Sequence, residues 1–196
     1  MNALVTGSNG FIGSFLVEKL LDNGVDVRCL VRRSSNMRWL IDKPVELCYG
    51  ELSEPTSLEP AVSDIDLIFH LGGVTRGLNE QDFYAGNVTT TKNILDACLK
   101  YGADQQKFVF VSSQAAGGPS LNGELLTEEQ AQHPISMYGQ SKFLAEQAVL
   151  ECADKRSVTI VRPPSVYGPR DTDFYALFKN ARLGFLPIVG GGRQKI

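Results

Sequence analysis

The 196-residue sequence predicts an α/β fold, a doubly wound parallel sheet with helices on both faces. Three observations predict it. Short apolar runs alternate with helix-length amphipathic segments from the first residue onward. A glycine-rich turn, Gly7-Ser8-Asn9-Gly10-Phe11-Ile12-Gly13, joins the first run to the first amphipathic segment. The run 108–111, Phe-Val-Phe-Val, is apolar throughout, which suits a strand buried on both faces.

The elements follow in order. Residues 3–5 form a first strand, and 11–21 a helix with apolar Phe11, Phe15, Leu16, Leu20 and Leu21. Residues 25–31 are a second strand ending in Arg32-Arg33, and 45–49 a third. A short helix over 57–62 is entered through Glu54-Pro55, and 66–71 is a fourth strand. A long helix over 81–100 is closed by Gly102, where a left-handed glycine is expected. After the fifth strand, 115–134 is polar and glycine-bearing and reads as a surface loop near the site. Residues 134–151 form a helix, 158–161 a sixth strand and 174–183 a last helix, with an apolar run over 186–189. Such a Rossmann-type arrangement binds ligands at the carboxyl ends of its strands, where strand order reverses. The expected organisation is a dinucleotide-binding domain over 1–170 and the start of a substrate-binding region over 171–196.

Composition narrows the class. Hydrophobic content of 43% and charged content of 21% describe a globular chain. A net charge of -3 argues against a nucleic-acid partner. No apolar run approaches the ~20 residues that span a bilayer, so no membrane segment is expected. Cys29, Cys48, Cys98 and Cys152 form no C-x-x-C pair and read as buried reduced thiols, which implies a cytoplasmic protein. Met1 leads almost directly into a strand, so no signal peptide is expected. His70 and His133 are too isolated for a metal site.

The chemistry-bearing residues fall at strand ends. In the glycine turn, Gly7 allows the tight turn, Gly10 lets backbone N–H groups approach a phosphate, and Gly13 lets helix pack on strand. The helix N-terminus adds partial positive charge. An acidic residue after the second strand would bond the adenosine ribose; Arg32 and Arg33 stand there instead, and arginine pairs with phosphate. That favours NADP over NAD. Tyr138 and Lys142 are four apart and share one helix face. A nearby ammonium favours the phenolate, which tyrosine, with a pKa of about 10, does not otherwise reach at neutral pH. Ser113 follows the fifth strand and would bond the substrate oxygen. Ser112 is the neighbouring alternative.

Together these motifs resemble the extended short-chain dehydrogenase/reductase family, of the NAD-dependent epimerase/dehydratase type. The resemblance rests on Thr6-Gly7-Ser8-Asn9-Gly10-Phe11-Ile12-Gly13, Ser112-Ser113, Tyr138-Gly139-Gln140-Ser141-Lys142, and Arg162-Pro163-Pro164-Ser165-Val166-Tyr167-Gly168-Pro169. It implies an enzyme acting on a hydroxyl or carbonyl of a small molecule, with Ser113, Tyr138 and Lys142 catalytic. It implies cofactor contacts from Gly7, Asn9, Gly10, Phe11, Ile12, Gly13, Arg32, Arg33, Glu51, Leu52, Leu71, Gly72, Gly73, Asn87, Tyr138, Lys142 and Pro163. Glu51 replaces the family's usual aspartate at the adenine. Gln114-Ala115-Ala116-Gly117 lacks the tyrosine that often follows the serines, which opens the substrate pocket and leans towards a carbonyl reductase or 3β-hydroxysteroid-type dehydrogenase. A nucleotide-sugar epimerase retaining NAD and a non-catalytic dinucleotide sensor are the alternatives. The family also implies a homodimer through the long helix and the tyrosine helix. Relatives continue beyond the point where this sequence stops, so much of the substrate region is expected to be missing.

Overall fold

The computed structural model describes residues 1–120 and 125–185. Six strands, β1 (Asn2–Thr6), β2 (Asp26–Val31), β3 (Glu46–Tyr49), β4 (Leu67–His70), β5 (Lys107–Val111) and β6 (Ser157–Val161), form one sheet in the order β3-β2-β1-β4-β5-β6. Every pairing is parallel. The chain winds outward from β1 to β3, then returns to lay β4 on the other side of β1. The two halves therefore part between β1 and β4, and the crevice at their carboxyl ends is the ligand position of such sheets. Thr6, the last residue of β1, sits opposite Leu30 on one side and His70 on the other.

Side chains alternate along each strand and build two cores. Leu4, Leu30, Ile68, Phe108 and Phe110 face one layer, with α2 (Glu59–Val62), α4 (Thr90–Tyr101) and α5 (Met137–Leu150). Ala3, Val5, Val27, Cys29 and Val31 face the other, with Val17 of α1 (Phe11–Asp22). Phe108 and Phe110 are buried, whereas Val109 and Val111 are only half-buried. The expectation of a β5 covered on both faces is thus met on one face. Cys29, Cys48 and Cys98 are buried free thiols, and Cys152 is a half-buried one.

The long helix is where structure and expectation differ most. It runs as α3 (Glu80–Phe83), a π-helical segment (Tyr84–Thr89) and α4. Wider turns of this kind arise where side chains compete for the backbone ladder. Here Thr90 Oγ1 donates to the Gly86 carbonyl at 2.7 Å and Thr91 Oγ1 donates to the Asn87 carbonyl at 2.6 Å. Gly86 also lies so close to Val74 that a Cβ would meet Val74 Cγ2 at 2.5 Å. Gly102 ends α4 in an extended, not left-handed, conformation, with φ -79°. Its smallness is what the site requires, since a Cβ would meet Gln106 Oε1 at 2.4 Å. The short helix over 57–62 divides into a 3-10 turn (Pro55–Ser57) and α2.

Helix α5 begins at Met137, three residues later than Pro134, because Ser136 caps it: Ser136 Oγ accepts from Gly139 N at 3.0 Å. Residues from Ser165 onward form a second compact unit. Within it, α6 (Asp173–Arg182) buries none of its residues, and Tyr167, Phe174 and Phe178 cluster ring against ring. The run 186–189 lies outside the described residues.

Candidate functional site

The turn between β1 and α1 is built for close approach. Gly7 has φ +68°, and a Cβ there would meet the Leu71–Gly72 backbone at 3.0 Å. A Cβ at Gly13 would meet the Gly7 carbonyl oxygen at 2.1 Å, so helix and turn touch backbone to backbone. Gly10 N donates to Gly7 O, and no side chain caps α1. The N–H groups of Phe11 and Ile12, in the first turn, have no acceptor within the helix and are open to an anion.

A cavity of about 510 Å³ lies over the carboxyl ends of β1 to β4. Gly7, Asn9, Gly10, Arg32, Glu51, Leu52, Leu71, Gly72 and Gly73 all line it. Arg32 and Arg33 part company: Arg33 does not line the cavity and lies over the Tyr49 ring, 5.2 Å from its centroid. Ser35 lines the cavity beside Arg32 and accepts from Arg32 N at 3.1 Å. Thr6, Ser53, Val74 and Gly86 also line it and escaped the sequence reading. Thr6 ends a strand and Ser53 and Val74 follow one, which could have signalled them; Gly86, in the π-helical segment, offered no such signal. The glycine cradle, the uncapped helix and Arg32 together fit a dinucleotide.

Beneath the cavity a chain of hydrogen bonds fixes the floor. Gly72 N donates to Thr6 Oγ1 at 2.9 Å, and Thr6 Oγ1 lies 2.7 Å from His70 Nδ1. His70 Nε2 lies 3.1 Å from Thr91 Oγ1, whose own proton goes to Asn87 O. The direction of that last bond assigns the ring proton to Nε2, leaving Nδ1 to accept from Thr6. Burial, with help from Lys142, lowers the His70 pKa to about 3, so the ring is neutral. Asn87, in the π-helical segment, accepts from Val74 N at 2.8 Å and donates to Val74 O at 3.0 Å and to Ser141 Oγ at 2.9 Å. It ties the strand-end loop to α5 directly under Gly73, where a Cβ would meet its Oδ1 at 2.6 Å.

Ser113, Tyr138 and Lys142 converge beyond the end of β5. Ser113 opens a 3-10 turn (Gln114–Ala116), and its Oγ accepts from Ala115 N at 3.2 Å. Tyr138 is half-buried, edge-on to the Phe83 ring. Burial raises its hydroxyl above the ordinary tyrosine range, and a hydrogen bond with Ser113 opposes that rise. The lowering expected from Lys142 is not among the causes of this shift. Lys142 is 5% exposed; its Nζ donates to Val111 O at 2.9 Å and sits 4.2 Å from the Phe110 ring centroid. Burial pulls its pKa down to about 8, against the pull of Glu146. Pro163 joins the group through its carbonyl, which accepts from Gln114 N at 3.1 Å. Ser112 Oγ is buried and makes no hydrogen bond of strict geometry among the described residues, but it lies towards the Glu146 carboxylate and helps hold that group's pKa down. Among those residues no His, Cys, Asp or Glu group could hold a metal, and no helix is long and apolar enough to cross a membrane.

A parallel sheet in the order 3-2-1-4-5-6, with a glycine cradle at its switch point, defines a dinucleotide-binding protein class. The chain belongs to the NAD dependent epimerase/dehydratase family, whose model matches residues 3–195. It is 34% identical over 186 residues to the ceramide reductase of Caulobacter vibrioides, covering 94% of this chain and 53% of that protein. Among solved structures it resembles gox2253, with TM-score 0.85 and 31% identity over 93% of this chain and 58% of that one. It also resembles the UDP-glucuronic acid 4-epimerase of Bacillus cereus in complex with NAD, with TM-score 0.79 and 26% identity over 94% of this chain and 63% of that one. The chain thus spans about half the length of the curated relatives it matches.

Proposed function

We propose that residues 1–170 are the cofactor-holding domain of an oxidoreductase that favours NADP and acts on a carbonyl or hydroxyl group of a small molecule, and that residue 171 begins the substrate-binding region. The observation that carries the reading is the meeting of Ser113, Tyr138 and Lys142 past the end of β5; they do not line the glycine-cradled cavity themselves, but Asn87 ties their helix, at Ser141, to Val74 of its wall. Gly7, Gly10 and the first turn of α1 hold the pyrophosphate; Arg32 and Ser35 meet the adenosine ribose and its phosphate. When bound, the nicotinamide supplies or accepts the hydride. Tyr138 gives a proton to the substrate oxygen, or takes one from it, and Ser113 orients that oxygen. Lys142 stabilises the phenolate and bonds the nicotinamide ribose.

The buried Tyr138 keeps its proton at neutral pH. That is the form a carbonyl reduction needs. The ceramide reductase relative supports a reductase over an epimerase. The Bacillus cereus epimerase, solved with NAD, supports the second reading, an epimerase that retains its cofactor. The unpaired thiols favour a cytoplasmic protein, and the family resemblance favours a pair of copies joined through α4 and α5.

Parallel fluorescence titrations with NADPH and NADH test the cofactor reading. NADPH is expected to bind more tightly, and Arg32→Asp to weaken NADPH by about 10- to 100-fold, the range of one charge-assisted bond. Unchanged NADPH selectivity in Arg32→Asp would refute the assignment.

A further inference from the structure

Glu146 has no exposed surface and lies on the buried face of α5, one turn beyond Lys142. Burying a carboxylate is costly unless it is paired and hydrogen-bonded. Here the matching is thorough. Arg162 Nε donates to Oε1 at 2.9 Å, and Arg162 Nη2 donates to Oε2 at 2.7 Å. Gln132 Nε2 donates to Oε2 at 2.6 Å. Three segments distant in sequence therefore meet on one carboxylate: α5, the turn after β6, and the segment that leads into α5.

Each of these segments borders the proton-transfer group. Arg162 precedes Pro163, whose carbonyl holds Gln114 N next to Ser113. Gln132 precedes His133, whose N–H bonds the Gly117 carbonyl after the Ser113 turn. The charges around Lys142 are few. Tyr138 and Glu146 share its helix face, neutral His70 lies towards it from β4, and Arg162 reaches Glu146 from the β6 turn. Exposed Glu128 acts on Arg162 from outside. Arg162 holds the buried anion with two hydrogen bonds, and Lys142 lies one helical turn from it with its own Nζ on the Val111 carbonyl.

We propose that Glu146 is a positioning residue of the proton-transfer site, supplying the counter-charge for Lys142 and fastening the β6 turn and the segment before α5 to the same helix. This inference rests on the proton-transfer reading of Tyr138 and Lys142 above. Burial raises the Glu146 pKa, but hydrogen bonding from Arg162, Ser112 and Gln132 outweighs it and keeps the group ionised. With the anion removed, the Lys142 ammonium would keep the Val111 carbonyl and the Phe110 ring but lose the carboxylate one helical turn away.

The test follows Lys142 Nζ by proton–nitrogen NMR of the whole chain, labelled at lysine, from about pH 6.5 to 10. The signal is assigned by its loss in Lys142→Gln. Glu146→Gln keeps the side-chain volume and removes the charge. Its Lys142 midpoint is expected to fall by about one pH unit or more. Glu151→Gln, at the exposed end of α5, is expected to leave the midpoint in place. A lower melting temperature with an unmoved midpoint would mean that Glu146 is structural only and would overturn the proposal. Should Glu146→Gln fail to fold, the wild-type Glu146 carboxyl carbon carries the test. It must inflect at the Lys142 midpoint, and a flat trace there overturns the proposal. Neither readout needs a dinucleotide, so failure to bind NADPH would count against the functional reading alone.

Discussion

Gly13→Ala adds a single methyl group at the tightest point of the cradle. The new Cβ would stand 2.1 Å from Gly7 O, 2.8 Å from Gly7 C and 3.0 Å from Ser8 Cα. Ordinary contact begins at 3.4 Å, so α1 and the turn must separate by about 1.3 Å. All three neighbours are backbone, and no side-chain rotation can relieve them. Overpacking of this kind costs about 3 kcal/mol, the upper part of its usual range. For a chain of this size that lowers the melting temperature by roughly 6–12 °C. The separation also moves the Phe11 and Ile12 N–H groups relative to Gly7, which opens the proposed phosphate site. The assay pairs a thermal melt with a fluorescence titration against NADPH. Expected are a lower melting temperature and at least a roughly tenfold loss of affinity, one lost bond to a charged group. Gly24→Ala is the control: Gly24 has φ +71° but nothing within 4 Å of its Cβ. It is expected to cost about 1 kcal/mol of backbone strain and leave NADPH binding alone. A folded Gly13→Ala protein with wild-type NADPH affinity would refute the idea that the pyrophosphate sits on this turn.

Tyr138→Phe removes the proposed acid and its bond with Ser113 but keeps the ring against Phe83. It is expected to leave NADPH binding within about twofold and to lower turnover by at least 100-fold, the scale of general acid–base catalysis. Wild-type turnover would remove Tyr138 from the mechanism. Asn87→Ala leaves the Val74 N–H and C=O without their partner. An expected loss of about 2–4 kcal/mol in urea unfolding, with weaker NADPH binding, checks its role under Gly73. His70 makes stability depend on pH. Its folded pKa is depressed to about 3, so the unfolded chain binds the extra proton below about 6.5. The stability it contributes is present above pH 6.5 and is lost as pH falls towards 3. Between pH 6.5 and 5 the loss should approach about 2 kcal/mol, measured by urea unfolding. His70→Gln should flatten that slope, and an unchanged slope would show that His70 is not its source.

What the sequence determined was whatever is local or periodic. The alternation of apolar runs and helical segments set the order of strands and helices, because burial on a parallel sheet demands it. The Gly7, Gly10 and Gly13 spacing located the cradle, because contacts as close as 2.1 Å leave room for no other side chain. The four-residue step from Tyr138 to Lys142 placed both on one face of α5. Tertiary structure decided what depends on distant partners. The long helix slackened into a π-helical segment at Tyr84–Thr89, where Gly86 packs on Val74 and Asn87 bonds it. Arg32 went to the cavity and Arg33 to the Tyr49 ring, though one position apart. Gly102 ended α4 in an extended conformation, and what it needs there is smallness, since a Cβ would run into Gln106 and the Cys98 carbonyl. The tyrosine hydroxyl was raised, not lowered, because burial outweighs its hydrogen bond with Ser113. Nothing local in the sequence sets Glu146 apart; Arg162 and Gln132, brought in by the fold, close over it. Desolvation and hydrogen-bond direction are properties of an assembled interior, and only the folded chain brings the partners that set them.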